Sequence, residues 1–112
     1  MQSTEQKIER AALAGLAAAN MDERERSTDI SLAELAALVE TAGGQPVVTL
    51  LQNKPTPDPR TFLGEGKVAE LRELIVANDC DLAVFDNELS PSQMRVLEEE
   101  LGVRVLDRSG LI

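Results

Sequence analysis

The chain has 112 residues, a length typical of one domain, and carries 11 Lys and Arg against 20 Asp and Glu, a formal charge of −9. One cysteine and no histidine exclude a zinc finger, Cys–His or Ser–His catalysis, and a disulfide within the chain. No apolar run approaches the ~20 residues of a membrane span, and residues 1–7 lack the basic-then-apolar pattern of an export signal. These features predict a cytoplasmic domain with no catalytic site and no metal site.

The first apolar segment, residues 11–19, is ambiguous. Its alanines have high helix propensity, so the local pattern favours a helix. Gly15 weakens that helix. A strand over residues 10–17 would also allow the following helix to serve as the crossover connection between two parallel strands.

A first helix is predicted to begin at Ser31, which can accept a hydrogen bond from the amide of Glu34 while the Glu34 side chain reaches back. Apolar residues then recur at helical spacing until the glycines at 43 and 44, which end the helix: Leu32, Leu35 and Val39. The run of residues 47–51 follows and is β-branched and uninterrupted, as expected for a parallel strand covered on both faces.

The rest of the chain alternates in the same way. A second helix is predicted from about residues 66–67, a strand over residues 82–85, and a third helix capped by Ser90 with Pro91 in its first position and Gln93 closing the capping box. A last strand is predicted over residues 103–106. The pattern indicates an α/β fold with a parallel sheet and crossover helices.

The segment 54–67 is the one stretch without an excess of acidic residues, with a net charge of +1 against −4 before it and −6 after it. Prolines at 55, 57 and 59 predict an extended, stiffened chain. Gly64 and Gly66 then lead into a helix whose first amides could bind an anion beside Lys67. A single residue between the glycines, and Val68 after the lysine, exclude a nucleotide P-loop. The predicted phosphate-contacting residues are Lys54, Arg60, Gly64, Gly66 and Lys67.

Asp86 and Asp107 end adjacent predicted strands, and Arg108 follows directly. These three residues form a secondary candidate site at the sheet edge where ligands bind in parallel α/β folds. Two interpretations remain open. The carboxylates could hold Mg²⁺ or accept a phosphoryl group, or each could accept hydrogen bonds from loop amides.

Four stretches of the sequence carry a family resemblance. They are residues 31–43, residues 54–71 with the run PDPRTFLGEGKVAEL, residues 85–93 (FDNELSPSQ) and residues 103–112 (VRVLDRSGLI). From about Glu9 onwards the chain resembles the N-terminal domain of the HflX family of translational GTPases. It departs from the family pattern at Phe62 and Leu63, where the family usually has Tyr-Ile, and near Asn53 and Lys54, where the family has a pair of arginines.

The resemblance implies a four-stranded parallel subdomain, β-α-β-α-β-α-β, with residues 10–16 as its first strand. It implies an N-terminal tail over 1–9, the subdomain over 10–107, and the start of a truncated helical segment over 108–112. The full-length parent would continue into a helical hairpin and a GTP-binding domain that uses GTP and Mg²⁺. This chain itself would be non-catalytic and hold no cofactor.

Three functional interpretations follow. Similar proteins bind the large ribosomal subunit and split or rescue ribosomes, so the 54–67 segment would contact rRNA. The alternative is a phosphoryl- or nucleotide-binding domain that uses Asp86, Asp107 and the turn at 64–67. In the third interpretation, the subdomain mainly braces the hairpin and the GTPase domain of its own protein.

Overall fold

Four parallel strands alternate with four helices in a computed structural model that describes residues 8–111. The strands are β1 (Arg10–Ala18), β2 (Gln45–Lys54), β3 (Leu82–Phe85) and β4 (Arg104–Asp107). The helices are α1 (Asp29–Thr41), α2 (Glu65–Ala77), α3 (Pro91–Leu101) and the single turn α4 (Arg108–Leu111). The predicted four-stranded parallel α/β fold is confirmed. Within the described part, no helix has the length and apolar character needed to cross a membrane.

The sheet has the strand order β2-β1-β3-β4, so the chain reverses direction beside β1. The helix α1 packs on one face of the sheet against apolar side chains of β1 and β3. The helices α2 and α3 pack together on the opposite face, over the larger core cluster. Because β1 lies between two hydrogen-bonded neighbours, the residues that follow β1 and β3 stand side by side at one edge of the sheet.

The alanine-rich segment forms the central strand β1. Its residues 11–14 are fully buried, and its backbone pairs with β2 along its whole length and with β3 over four residues. The helix favoured by local composition is therefore wrong, and the strand implied by the family resemblance is confirmed and extends to Ala18. Helix propensity is a weak preference over so short a segment, and pairing with two strands outweighs it.

The helix caps differ from the prediction at one position. Thr28, not Ser31, caps α1: its hydroxyl accepts from the Ser31 amide at 3.0 Å, and the Ser31 hydroxyl accepts from the Thr28 amide at 2.7 Å. Ser31 thus takes the third position of the capping box, because Thr28 has the extended backbone that a cap requires. The predicted box between Ser90 and Gln93 is confirmed in α3.

The segment after β2 is not extended along its whole length, whereas its prolines predict an extended chain. Asp58 and Phe62 exchange backbone hydrogen bonds of 2.8 and 2.9 Å, and this closes a compact turn over residues 58–62, named here the 58–62 turn. Phe62 is 5% exposed and Leu63 is fully buried. Burying two such side chains stabilises the fold by about 3–6 kcal/mol, which outweighs the extended preference of the prolines.

The predicted division into a tail over 1–9, a domain over 10–107 and a helical segment over 108–112 stays a prediction. Residues 1–7 and 112 lie outside the described residues. Within them, α4 follows β4 without an intervening loop, so Arg108 is held at the sheet edge.

Candidate functional site at the carboxyl edge of the sheet

A cavity of about 680 Å³ opens at the carboxyl edge of the sheet. Its lining comes from the loop after β1, the residues after β3 and β4, the first turns of α1, and Pro57 and Phe62 of the segment after β2. The chain reverses its direction across the sheet between β1 and β3, and ligands of open α/β sheets bind at such a point. The cavity therefore lies where a ligand site is expected in this fold.

Asp86 lies at the floor of this cavity, with its side chain 3% exposed. Its Oδ2 accepts from the hydroxyls of Ser27 at 2.6 Å and Ser31 at 2.5 Å. Its Oδ1 accepts from Arg108, through Nε at 3.0 Å and through a second guanidinium nitrogen that also donates to the Ser31 carbonyl at 2.8 Å. Both carboxylate oxygens are therefore committed to internal donors, an arrangement that ties β3, α1 and α4 together.

Asp107 is buried and has a structural role of the same kind. Its Oδ2 accepts from the amide of Leu89 at 3.1 Å and its Oδ1 from the amide of Gly110 at 2.9 Å. Its contacts fit the interpretation that each aspartate accepts from loop amides. Among the described residues, no group of three or more acidic or cysteine side chains is placed to hold a metal ion.

Asn87 is an important residue of this edge that the sequence analysis missed. Its Oδ1 accepts from the Leu16 amide at 2.8 Å, while its Nδ2 donates to the carbonyls of Leu16 and Glu25 at 2.9 Å each. The carboxamide thus continues the pairing of β1 where β3 has ended, and it fixes the loop after β1. Its place two residues after the uninterrupted apolar run of residues 82–85 is the signal in the sequence.

Lys54 and Gly64 come together on a different part of the surface. The Gln52 carboxamide accepts from the Gly64 amide at 2.9 Å, which holds the start of α2 against the end of β2. Lys54 Nζ lies 3.5 Å from the position that a Cβ on Gly64 would occupy. Gly64 caps α2 without a side chain, so no side-chain acceptor covers the first amides of the helix, which include that of Gly66.

Arg60 and Lys67, the other predicted cations, form exposed ion pairs. Arg60 pairs with Glu100 of α3 at 3.2 Å, and Lys67 pairs with Glu70 one turn further along α2 at 3.2 Å. Lys54 has no ion pair within the described residues. The predicted cations therefore lie at the end of β2, in the first turn of α2 and in the 58–62 turn facing α3.

The residues predicted for the nucleotide-binding alternative do not all line one cavity. Asp86 and Arg108 line the large cavity, whereas residues 64–67 do not, and Asp107 binds loop amides beside it. Lys54 instead lines a shallower cavity of about 420 Å³ with Arg26 and the end of β1. The nucleotide-binding alternative stays a prediction.

Comparison with known families gives a match over most of the chain. The family described as GTP-binding GTPase N-terminal matches residues 29–112. The GTPase HflX of Flavobacterium psychrophilum is 36% identical over 105 residues, which cover 94% of this chain and 25% of that protein. The GTPase HflX of Escherichia coli is 40% identical over 81 residues, 72% of this chain and 19% of that protein. The chain thus spans about a fifth to a quarter of the length of these relatives.

Solved structures share the fold at lower identity. A GTP-binding protein from the hyperthermophilic archaeon Sulfolobus solfataricus in complex with GDP matches with a TM-score of 0.61 and 20% identity, over 93% of this chain and 29% of that chain. The structure described as the SsGBP and GDP complex matches with a TM-score of 0.66 and 20% identity, over 93% and 27% of the two chains. At this identity the likeness concerns the fold.

Proposed function

Because this chain belongs to the GTP-binding GTPase N-terminal family and has HflX GTPases as relatives, we propose that it is the ribosome-docking domain of such a GTPase. In this proposal it acts in the cytoplasm and contacts rRNA of the large subunit through the 54–67 segment. It forms no part of the GTP-hydrolysing centre. GTP and Mg²⁺ serve the GTPase domain of the parent protein, which splits or rescues ribosomes.

The observation that carries the proposal is the position of Lys54 beside the start of α2. A helix N-terminus attracts anions because its first amides lack intrahelical acceptors and its dipole is positive there. Gly64 lets an anion approach closely, since it has no side chain, and Lys54 Nζ adds a charge at this point. A phosphate of the RNA backbone fits this combination better than a neutral ligand.

The ion pairs of Arg60 and Lys67 do not prevent their use. Exposed ion pairs contribute about 0–1 kcal/mol, so a phosphate can replace the carboxylate partner at little cost. The compact 58–62 turn also keeps Arg60 at a fixed place before binding, which lowers the entropy lost on docking.

The test measures binding of the full-length parent GTPase to purified large subunits between 50 and 300 mM salt. We expect Lys54→Gln with Lys67→Gln to weaken binding by about an order of magnitude at low salt and to flatten the salt dependence by about one unit of slope per lost contact. Arg60→Gln in a separate variant tests the residue that faces α3.

The matched control is Arg95→Gln with Arg104→Gln, which removes the same charge outside the 54–67 segment. Equal weakening by the test and control pairs would attribute the effect to net charge and remove this segment from the proposal. Calorimetry with GTP or ATP and Mg²⁺ tests the nucleotide alternative, and millimolar or tighter binding by this chain alone would favour it. Unchanged ribosome binding in every variant would favour a domain that only braces the hairpin and the GTPase domain.

A further inference from the structure

The cavity at the carboxyl edge differs from the 54–67 segment in its charge. Five carboxylates and three guanidinium groups line it, a net charge of −2. They are Asp22, Glu25, Glu34, Asp86 and Glu88 against Arg24, Arg26 and Arg108. This balance disfavours an RNA phosphate inside the cavity.

Two of the three lining cations are already occupied by internal acceptors. Arg108 binds Asp86 and the Ser31 carbonyl. Arg26 donates to the carbonyls of Ala18 at 3.0 Å and Ala19 at 2.8 Å. Among the described residues, Arg24 alone of these cations has a guanidinium group without a partner. The cavity therefore offers few free donors to an anion.

The acidic side chains at the rim are free by contrast. Glu25, Glu34 and Glu88 are exposed and form no ion pair with any residue between 8 and 111. They come from three different elements: the loop after β1, α1 and the loop after β3. Their carboxylates line the cavity, are exposed and are available to a cation from outside.

The wall of the cavity includes apolar side chains. Met21 and Pro57 are half-buried, and Phe62 is one of two aromatic residues in the chain. Phe62, which has a positive φ of 69° in the 58–62 turn, also lines the cavity but is only 5% exposed. The half-buried apolar surface of Met21 and Pro57 together with free carboxylates suits the aliphatic stem and charged head of lysine or arginine.

We propose that this cavity binds basic side chains of a lysine- and arginine-rich polypeptide partner. Charge complementarity with the free carboxylates selects the partner, and contact of the aliphatic stems with the half-buried Met21 and Pro57 adds affinity. The proposal concerns a surface other than the one proposed for rRNA, so each can fail without the other. A domain of net charge −9 that docks on RNA would gain affinity from a second contact with a basic polypeptide, because its own negative charge favours that contact.

The test uses the complete 112-residue chain and a fluorescein-labelled peptide of alternating arginine and glycine, with anisotropy as the readout. Glu34→Gln with Glu88→Gln is compared with Glu73→Gln with Glu99→Gln, which has the same net charge but lies outside the cavity. We expect the cavity pair to weaken binding about fivefold and the control pair less than twofold.

A second readout is the methyl resonance of Met21, a lining residue of the cavity, which the peptide should shift while the methyl of Met94, which does not line the cavity, stays in place. Equal loss of affinity in both variant pairs would overturn the proposal, because it would indicate general attraction to an acidic protein. A Met21 shift caused by inorganic phosphate or a nucleotide but not by the peptide would also overturn it.

Discussion

The side chain of Ser27 occupies the space that a side chain on Gly15 would need. A Cβ on Gly15 would stand 2.0 Å from Ser27 Oγ and 2.5 Å from its Cβ. The same hydroxyl donates to Asp86 at 2.6 Å. The glycine in the middle of β1 is thus a condition for the hydrogen bonds that fix the floor of the cavity, in spite of the low strand propensity of glycine.

Gly15→Ala should therefore destabilise the domain by about 2–3 kcal/mol, because either Ser27 or the strand must move. Urea unfolding measures the change, with Gly66→Ala as the control. A Cβ on Gly66 meets no atom within 4 Å, so that substitution should be neutral or stabilise the second helix by up to about 1 kcal/mol. Similar stabilities for the two variants would show that Ser27 adjusts freely.

Arg108→Met should lower the free energy of unfolding by about 3 kcal/mol, because it leaves the buried Asp86 carboxylate without its countercharge. The matched control is Arg104→Met, which removes an exposed pair with Glu9 and should cost less than about 1 kcal/mol. The double variant Asp86→Asn with Arg108→Met should recover part of the loss. An equal loss in the two arginine variants would contradict a special role for the buried pair.

Asn87→Ala should cost about 2–3 kcal/mol, since it leaves the buried amide of Leu16 without an acceptor. Hydrogen exchange should become faster at that amide and in the loop around Glu25, whose carbonyl loses its donor. Asn53→Ala, at an exposed position of β2, is the control. Unchanged exchange at Leu16 would mean that water replaces the carboxamide without penalty.

Acid should weaken the 58–62 turn. The amides of Thr61 and then Arg60 donate to the Asp58 carboxylate and hold its pKa below the ordinary value. The stabilisation that these hydrogen bonds give is present above the unfolded-state pKa of Asp58, about 3.9. It is lost as the pH falls through the lower folded-state pKa of the same carboxylate. The stability difference between the wild type and Asp58→Asn should therefore shrink between pH 6 and pH 2.5 in urea titrations. A constant difference would exclude this carboxylate as its source.

Cys80 should be a slow nucleophile. Burial is the main cause that raises the pKa of its thiol, with Asp81 and Asp79 adding to the effect and Arg10 opposing it. Alkylation by iodoacetamide depends on the thiolate, so the rate should begin to increase at higher pH in the folded chain than in urea. Because the pKa of the Cys80 thiol is higher in the folded state than in the unfolded state, its titration also affects the free energy of unfolding. That free energy is fully retained below the unfolded-state pKa of the thiol and declines as the pH rises above it. Equal rates in both states would contradict the shift.

Much of the fold could be predicted from local patterns. The uninterrupted strand β3 and the helix α3, with Ser90 as its cap and Gly102 at its end, are set by residues within a few positions of each other. The strand β1 could not be predicted in this way, because its alanines are typical of a helix and only pairing with strands far along the chain decides its conformation.

The site was harder to predict than the fold. Proline spacing predicted an extended segment, but the burial of Phe62 against the distant core decides its path. Asp86 follows the end of β3 as the sequence predicts, while its partners Ser27 and Ser31 lie more than 50 residues away. Which cations are free and which are used internally also depends on such distant contacts.

The compact path of the segment between β2 and α2 changes what mutation can do there. Exposed connections of this length are usually where proteins accept insertions and where proteases cut first. Here Thr61, Phe62 and Leu63 are buried, and Gln52 fastens the end of the segment to the strand. An insertion among these residues would disturb the hydrophobic interior, so this connection should tolerate changes in length no better than a strand of the sheet.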